Sequence, residues 1–168
     1  DETVEVEPVL MRPGTRRELE ESLLLFYTGL THSAGEILKE QGANVVSEQK
    51  KFESMVRMTQ LAREMRQSLT EGDLNRFGEI LNENWLLKRE LASGVSNGTV
   101  DHYYDIAMRS GALGGKLLGA GGGGFLLFCC PKERQPRLRS ALSDLVELPF
   151  RMETGGTKVI YVGEKNWE

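Results

Sequence analysis

What this sequence has little of narrows its function before any motif is read. Cysteine occurs twice, as the adjacent pair Cys129 and Cys130, which supports neither a disulfide framework nor a zinc site. Two histidines without metal-type spacing argue against a bound structural metal. Basic charge is not in surplus: 21 Lys and Arg stand against 25 Asp and Glu, for a net charge of −4. A domain that grips nucleic acid normally clusters an excess of Lys and Arg, so no nucleic-acid partner is expected. Long hydrophobic runs are missing too. The longest, Leu23–Tyr27 and residues 125–130, fall far short of the roughly 20 residues that span a bilayer, so no membrane partner is expected. With Asp in first place and no signal-like stretch, the expectation is an excised piece of a cytoplasmic protein.

What is present is an ordinary single-domain composition, 168 residues with 39% hydrophobic and 27% charged side chains, enough to bury a real core. Glycine is the exception. It occurs 19 times, and eight of those glycines lie between Gly111 and Gly124. The excess is local, so it marks one loop where backbone must come close to something.

Period-2 alternation over residues 3–11 predicts a strand, and the continuous apolar run 23–28 a strand buried on both faces, with a short acidic helix over 15–22 between them. Ser33 and Glu36 have the spacing of a capping box, which predicts a helix over 33–41 closed by Gly42. Residues 48–69 place Phe52, Met55, Val56, Thr59, Ala62, Met65 and Leu69 on one helical face. Gly72 ends that helix, Asp73 caps the next, and the apolar register from Leu74 runs on to Leu91, with Gly94 and the Ser96-Asn97-Gly98 turn ending it. The two make an antiparallel pair. A helix over 99–109, strands at 116–118 and 125–130, a helix around Leu138–Leu145 and a closing hairpin (147–153 and 157–162, turning at Gly155-Gly156) complete the order. The fold class is α+β, ferredoxin-like: a mostly antiparallel sheet with a helical layer on one face.

The glycine loop is Lys116-Leu117-Leu118-Gly119-Ala120-Gly121-Gly122-Gly123-Gly124-Phe125. Consecutive glycines permit positive φ and remove every Cβ, so amides can converge on an anion. No Gly-Lys-Ser/Thr follows, so this is not a Walker loop. The glycines precede a strand, which is the wrong order for a dinucleotide fingerprint. A tight strand-to-strand bend with no ligand is the competing reading.

This loop resembles the third glycine motif of the GHMP kinases, the group of galactokinase, homoserine kinase and mevalonate kinase. Leu23 to Gly29, the helix from Ser33 to Gln41, Asn84-Trp85-Leu86-Leu87-Lys88, Ala107 to Gly115 and Gly155 to Val159 are similar to its sugar-kinase branch, above all to heptose phosphate kinases, with fucokinases sharing part of the pattern. The family's proline-glycine stretch and Gly-Leu-Gly-Ser-Ser loop do not occur in the sequence. The resemblance therefore implies the C-terminal domain alone, over residues 1–168, with the N-terminal domain of the same chain as a partner. It implies ATP with Mg²⁺ and a sugar phosphate as ligands of the whole enzyme, no catalytic residue in this part, and no metal held by it. Cutting the domain free would expose its cleft face, which predicts self-association as a homo-oligomer.

Carried over residue by residue, Gly119, Ala120, Gly121, Gly122 and Gly123 belong beside the ATP phosphates and the acceptor. Thr28 and Gly29 fall near the sugar side, although an ordinary strand-end turn reads equally well. His32 stands where the family usually has Arg, and Leu118 where many relatives have Ser or Thr. Trp85 would be a flat wall and Lys88 a phosphate partner, against core edge and solvated surface. Lys116 could approach phosphate or sit exposed. Asp101 and Asp105 read as helix-dipole partners, and the cysteines as packing. The in-family alternative is a galactokinase- or fucokinase-like enzyme, and the rival from another class is a non-catalytic ferredoxin-like module that binds a small ligand.

Overall fold

The computed structural model describes residues 6–153 and 156–159. Its centre is a four-stranded antiparallel sheet in the order β2-β3-β1-β4, with β1 Leu23–Tyr27, β2 Gly114–Leu117, β3 Phe125–Cys129 and β4 Val146–Glu147. The helices are α1 Thr15–Ser22, α2 Ala34–Ser47, α3 Gln49–Glu71, α4 Leu74–Lys88, α5 Gly98–Arg109 and α6 Gln135–Ala141. No helix among the described residues is long and apolar enough to cross a membrane.

Because side chains alternate along a strand and cross-strand partners share a face, the register divides the sheet into two faces. Leu24 opposite Phe128 and Phe26 opposite Leu126 face the larger core, where Leu117, Trp85, Val95, Val100 and Tyr104 are buried with them. Leu23 opposite Cys129 faces a smaller core with Leu19, Phe77 and Leu81. Apolar groups are thus buried on both faces of β1 and β3, as the unbroken runs in their sequences require.

Local rules account for several boundaries. Gly72 adopts φ 78° at the end of α3, and Asp73 then accepts the Arg76 amide to cap α4 at 2.9 Å. Asn97 caps α5 by accepting the amides of Thr99 and Val100. Gly114 lies so close to α4 that a Cβ there would overlap the Gly78 carbonyl oxygen. Helix and strand touch because both residues lack side chains.

Several sequence expectations fail for physical reasons. Residues 6–11 form no strand. Val6 and Leu10 are 87% and 76% exposed, so the alternation has no sheet edge to bury against, while residues 3–5 lie outside the described residues. Of the C-terminal hairpin only β4 appears among the described residues, and it pairs with β1: Leu148 still donates to the Leu25 carbonyl at 2.8 Å, and Pro149, whose ring fixes φ at about −65° rather than the roughly −140° of an antiparallel strand, ends it. Residues 148–153 and 157–159 are not strand, and the rest of that hairpin lies outside the described residues. Helix α2 runs through Gly42 to Ser47, and Ser33 makes no capping hydrogen bond.

Helix α3 is turned relative to the first half of its apolar stripe, while Met65 and Leu69 from the second half do pack against the smaller core. Ser54, Leu61 and Ser68 are its buried residues, while Phe52 and Val56 are 51% and 42% exposed. The packed face is set by small serines, whose hydroxyls donate to their own helix at Lys50 and Met65. An ion-pair network fastens α3 to α4: Arg57 meets Glu64 and Glu83, and Arg76 meets Glu64. Helix α4 ends at Lys88, short of the expected Leu91.

Candidate functional site

The glycine loop lies where β2 hands over to β3, at the same end of the sheet as the turn that leaves β1. Four of its glycines have positive φ: 84° at Gly119, 130° at Gly121, 76° at Gly122 and 102° at Gly124. Positive φ is only part of the requirement. A Cβ on Gly121 would come 2.5 Å from the Val95 Cα, and one on Gly122 would come 2.7 Å from the His32 Cγ. Neighbouring main chain and an imidazole fill the space a side chain would take.

The loop is held from three sides. Gly122 donates to the Val95 carbonyl at 3.1 Å, and Gly124 to the Leu30 carbonyl at 2.9 Å. Asn97, already the cap of α5, donates its side-chain amide to the Gly122 carbonyl at 2.9 Å. Thr28 clamps the exit: its amide and its hydroxyl both donate to the Gly124 carbonyl, at 2.9 and 2.8 Å, and its oxygen accepts from the amides of Gly124 and Leu30. Lys88 donates to the Gly119 carbonyl.

These bonds leave the amides of Gly119, Ala120, Gly121 and Gly123 without a protein acceptor among the described residues. Free main-chain amides on a side-chain-free loop are donors available to an anion. The loop borders an open cavity of about 530 Å³ with His32, Tyr27 and Phe125 on its other walls. The Tyr27 and Phe125 rings pack with centroids 5.1 Å apart.

The expected residues divide by position. Gly119, Ala120, Gly121, Gly123 and His32 meet at this cavity, and Gly122 backs onto His32. Thr28 is buried and its hydroxyl is spent on the clamp, so it positions the loop rather than facing solvent. Gly29, at φ 73°, turns the chain away from β1. Trp85 is fully buried, packed against Tyr104 with ring centroids 6.0 Å apart, so the indole is core and offers no wall to a sugar. Lys88 reaches the loop. Asn97 and the carbonyls of Leu30 and Val95 were not singled out by the sequence reading, although an Asn just before a helix start is a capping signal.

Two lysines lie near the loop, Lys88 through its bond to Gly119 and Lys116 on β2. Burial depresses the Lys88 ammonium below the ordinary lysine range, and the neighbouring Lys116 ammonium depresses it further. Burial likewise lowers Lys116.

The family model for GHMP kinases, C terminal, matches residues 65–148. This chain belongs to the GHMP kinases. It is 31% identical over 137 residues to a D-glycero-alpha-D-manno-heptose 7-phosphate kinase of Campylobacter jejuni, a match that covers 82% of this chain and 40% of that protein. It is 31% identical over 151 residues to a bifunctional fucokinase/GDP-fucose pyrophosphorylase of Arabidopsis thaliana, covering 89% of this chain and 14% of that protein. The crystal structure of a D-glycero-D-manno-heptose 1-phosphate kinase from Bacteroides thetaiotaomicron aligns with a TM-score of 0.60 at 26% identity, over 89% of this chain and 38% of that one. The chain thus spans well under half the length of these GHMP relatives, and its match is to the family's C-terminal part.

Proposed function

We propose that residues 1–168 are the C-terminal domain of an ATP-dependent sugar kinase whose N-terminal domain completes the cleft. The reading that fits best is transfer of the ATP γ-phosphoryl group to the anomeric hydroxyl of a heptose 7-phosphate in the cytoplasm. The observation that carries it is the loop from Gly119 to Gly123, with four unspent amides on a cavity, in a GHMP chain 31% identical to a heptose 7-phosphate kinase.

Phosphoryl transfer is catalysed chiefly by positioning and by charge stabilisation. The bond from the γ-phosphorus to the β,γ-bridging oxygen breaks, a bond to the acceptor oxygen forms, and the acceptor proton leaves to a base outside this chain. The free amides of Gly119, Ala120 and Gly121 would donate to phosphate oxygens. The clamp of Thr28, Asn97 and Val95 would hold those amides in place beforehand. ATP fits this donor set. Mg²⁺ would be held chiefly by the ATP phosphates with one or two carboxylates, and no group of three or more His, Cys, Asp or Glu that could hold a metal ion occurs among the described residues.

A fucokinase-like enzyme is the second reading, favoured by the 31% identity to the Arabidopsis protein over 151 residues. A panel of heptose 7-phosphate, fucose, galactose and mevalonate, offered with ATP to the full-length protein, separates them. Phosphorylation of the heptose phosphate at C1, read by phosphorus NMR, is expected. Fucose as the better substrate would transfer the reading to the second branch, and turnover of mevalonate alone would refute both sugar readings.

A further inference from the structure

The first half of α3 carries apolar side chains on the side that the core leaves open. Phe52, Val56 and Thr59 are exposed there at helical spacing, while Ser54 and Leu61 are buried on the other side. Val46, near the end of α2, is 90% exposed, and Leu38, two turns earlier on the same side of that helix, is 54% exposed. The two helices meet at Glu48. Between them lies a groove of about 390 Å³ lined by Val45, Val46, Gln49 and Phe52.

Single exposed apolar side chains are ordinary, but a run of them beside a groove marks a contact surface. With a large side chain offering roughly 150–250 Å², the exposed parts of Leu38, Val46, Phe52 and Val56 come to about 400 Å². Homodimer interfaces are about 65% apolar, so that area belongs to about 600 Å² per copy. The total of about 1,200 Å² reaches the lower end of specific, stable association.

The charges around the patch point to its partner. Lys51 is paired with Glu48 at 2.9 Å, Lys50 with Glu90 at 3.8 Å, and Arg57 with Glu64 and Glu83. Glu53 and Arg63, both exposed, bracket Val56 and Thr59 and have no ion-pair partner among the described residues. Glu53 only accepts from the Gln49 side-chain amide. An acid and a base about 15 Å apart along one helix are what an antiparallel copy of that helix would match, because a two-fold axis brings each end opposite the other.

We propose that two copies of this chain associate through the open side of α3, antiparallel about a two-fold axis close to Val56 and Thr59. Glu53 of each copy would meet Arg63 of the other, and Phe52 of each would lie over the small, exposed Ala62 of the other. No residue of α3 lines the glycine-loop cavity, so the dimer stands apart from the kinase reading.

Sedimentation equilibrium of the full-length protein and of the 168-residue chain, at matched micromolar concentrations, tests this. Dimers are expected in both. Phe52→Glu should raise the dimer dissociation constant at least about tenfold. Val46→Glu should act in the same direction at a side chain that the fold does not use, with thermal melting unchanged. Glu53→Arg and Arg63→Glu each set like charges against each other twice per dimer and should weaken it, whereas the double variant restores the opposite pairing and the wild-type constant. Val146→Glu, at a 61% exposed position on β4, should leave the dimer intact. A monomeric full-length protein overturns the proposal, and if the 168-residue chain alone dimerises, the patch belongs to the rest of the full-length chain. A dimer that survives Phe52→Glu and Val46→Glu, or a double charge variant no tighter than the single ones, overturns it as well.

Discussion

Gly119 and Gly121 sit two residues apart in the same loop, and comparing them isolates what the loop's neighbours contribute. Both have positive φ, 84° and 130°, so alanine at either position carries a backbone penalty of about 1–2 kcal/mol. A Cβ at Gly119 meets nothing within 4 Å, whereas one at Gly121 would come 2.5 Å from the Val95 Cα and 2.7 Å from its carbonyl oxygen. Those are main-chain atoms at the entry to α5 and cannot swing aside. The loop itself must move, which gives up the bond from Gly122 to Val95 and the one from Asn97 to Gly122. At about 1 kcal/mol for each lost bond, Gly121→Ala should destabilise by roughly 3–4 kcal/mol and Gly119→Ala by about 1–2. Urea unfolding measures both, with the midpoint shifted and the slope unchanged. Equal effects at the two positions, or a neutral Gly121→Ala, would refute the claim that the loop is pinned against Val95.

Thr28→Val removes a hydroxyl that both donates to and accepts from Gly124, and should cost about 1–3 kcal/mol by leaving buried partners unpaired; a stability equal to wild type would dissolve the clamp. Burial pushes the Cys129 thiol up to about 11 from an ordinary 9.0, so between those values the unfolded chain loses its proton first and stability from this group falls as pH rises. The urea midpoint of wild type should therefore drop from pH 8.5 to pH 10.5 by more than that of Cys129→Ala, and parallel pH profiles would contradict this. The 168-residue chain should melt cooperatively yet show no ATP-dependent phosphorylation of any sugar, and measurable turnover would mean that the site is complete without another domain.

The sequence was most legible where structure is decided within a few residues. The end of α3 at Gly72, the start of α4 at Asp73 and the strands around Leu23–Tyr27 and Phe125–Cys129 follow from a left-handed glycine, a capping carboxylate and unbroken apolar runs. Failures came where a partner elsewhere decides. Residues 6–11 find no sheet edge, and among the described residues the closing hairpin comes to the two-residue strand β4, which Pro149 follows at one residue's distance. On α3, Phe52 and Val56 stay exposed while Ser54 and Leu61 are buried, and the ion pairs to α4 run from Arg57 and Glu64 on that same side.

The site divides in the same way. The glycine motif is visible as a local excess, but nothing local says that Asn97 will reach Gly122 across 25 residues or that Thr28 will reach Gly124 across 96. Trp85 and Lys88 look alike on a helical wheel, yet the first points into the core and the second onto the loop.

The central claim is that the glycine loop handles the phosphoryl group. Steady-state kinetics of Gly122→Val in the full-length protein, with ATP and heptose 7-phosphate, test it most directly. The valine would press on the Cβ and Cγ of His32, so the loop or the His32 main chain must shift, displacing the amides on either side. A fall in kcat/KM of at least about a hundredfold, roughly 2.7 kcal/mol of transition-state stabilisation, is predicted, with a still-cooperative unfolding transition. A kcat/KM equal to wild type in the folded variant would contradict the account and take the loop out of the reaction.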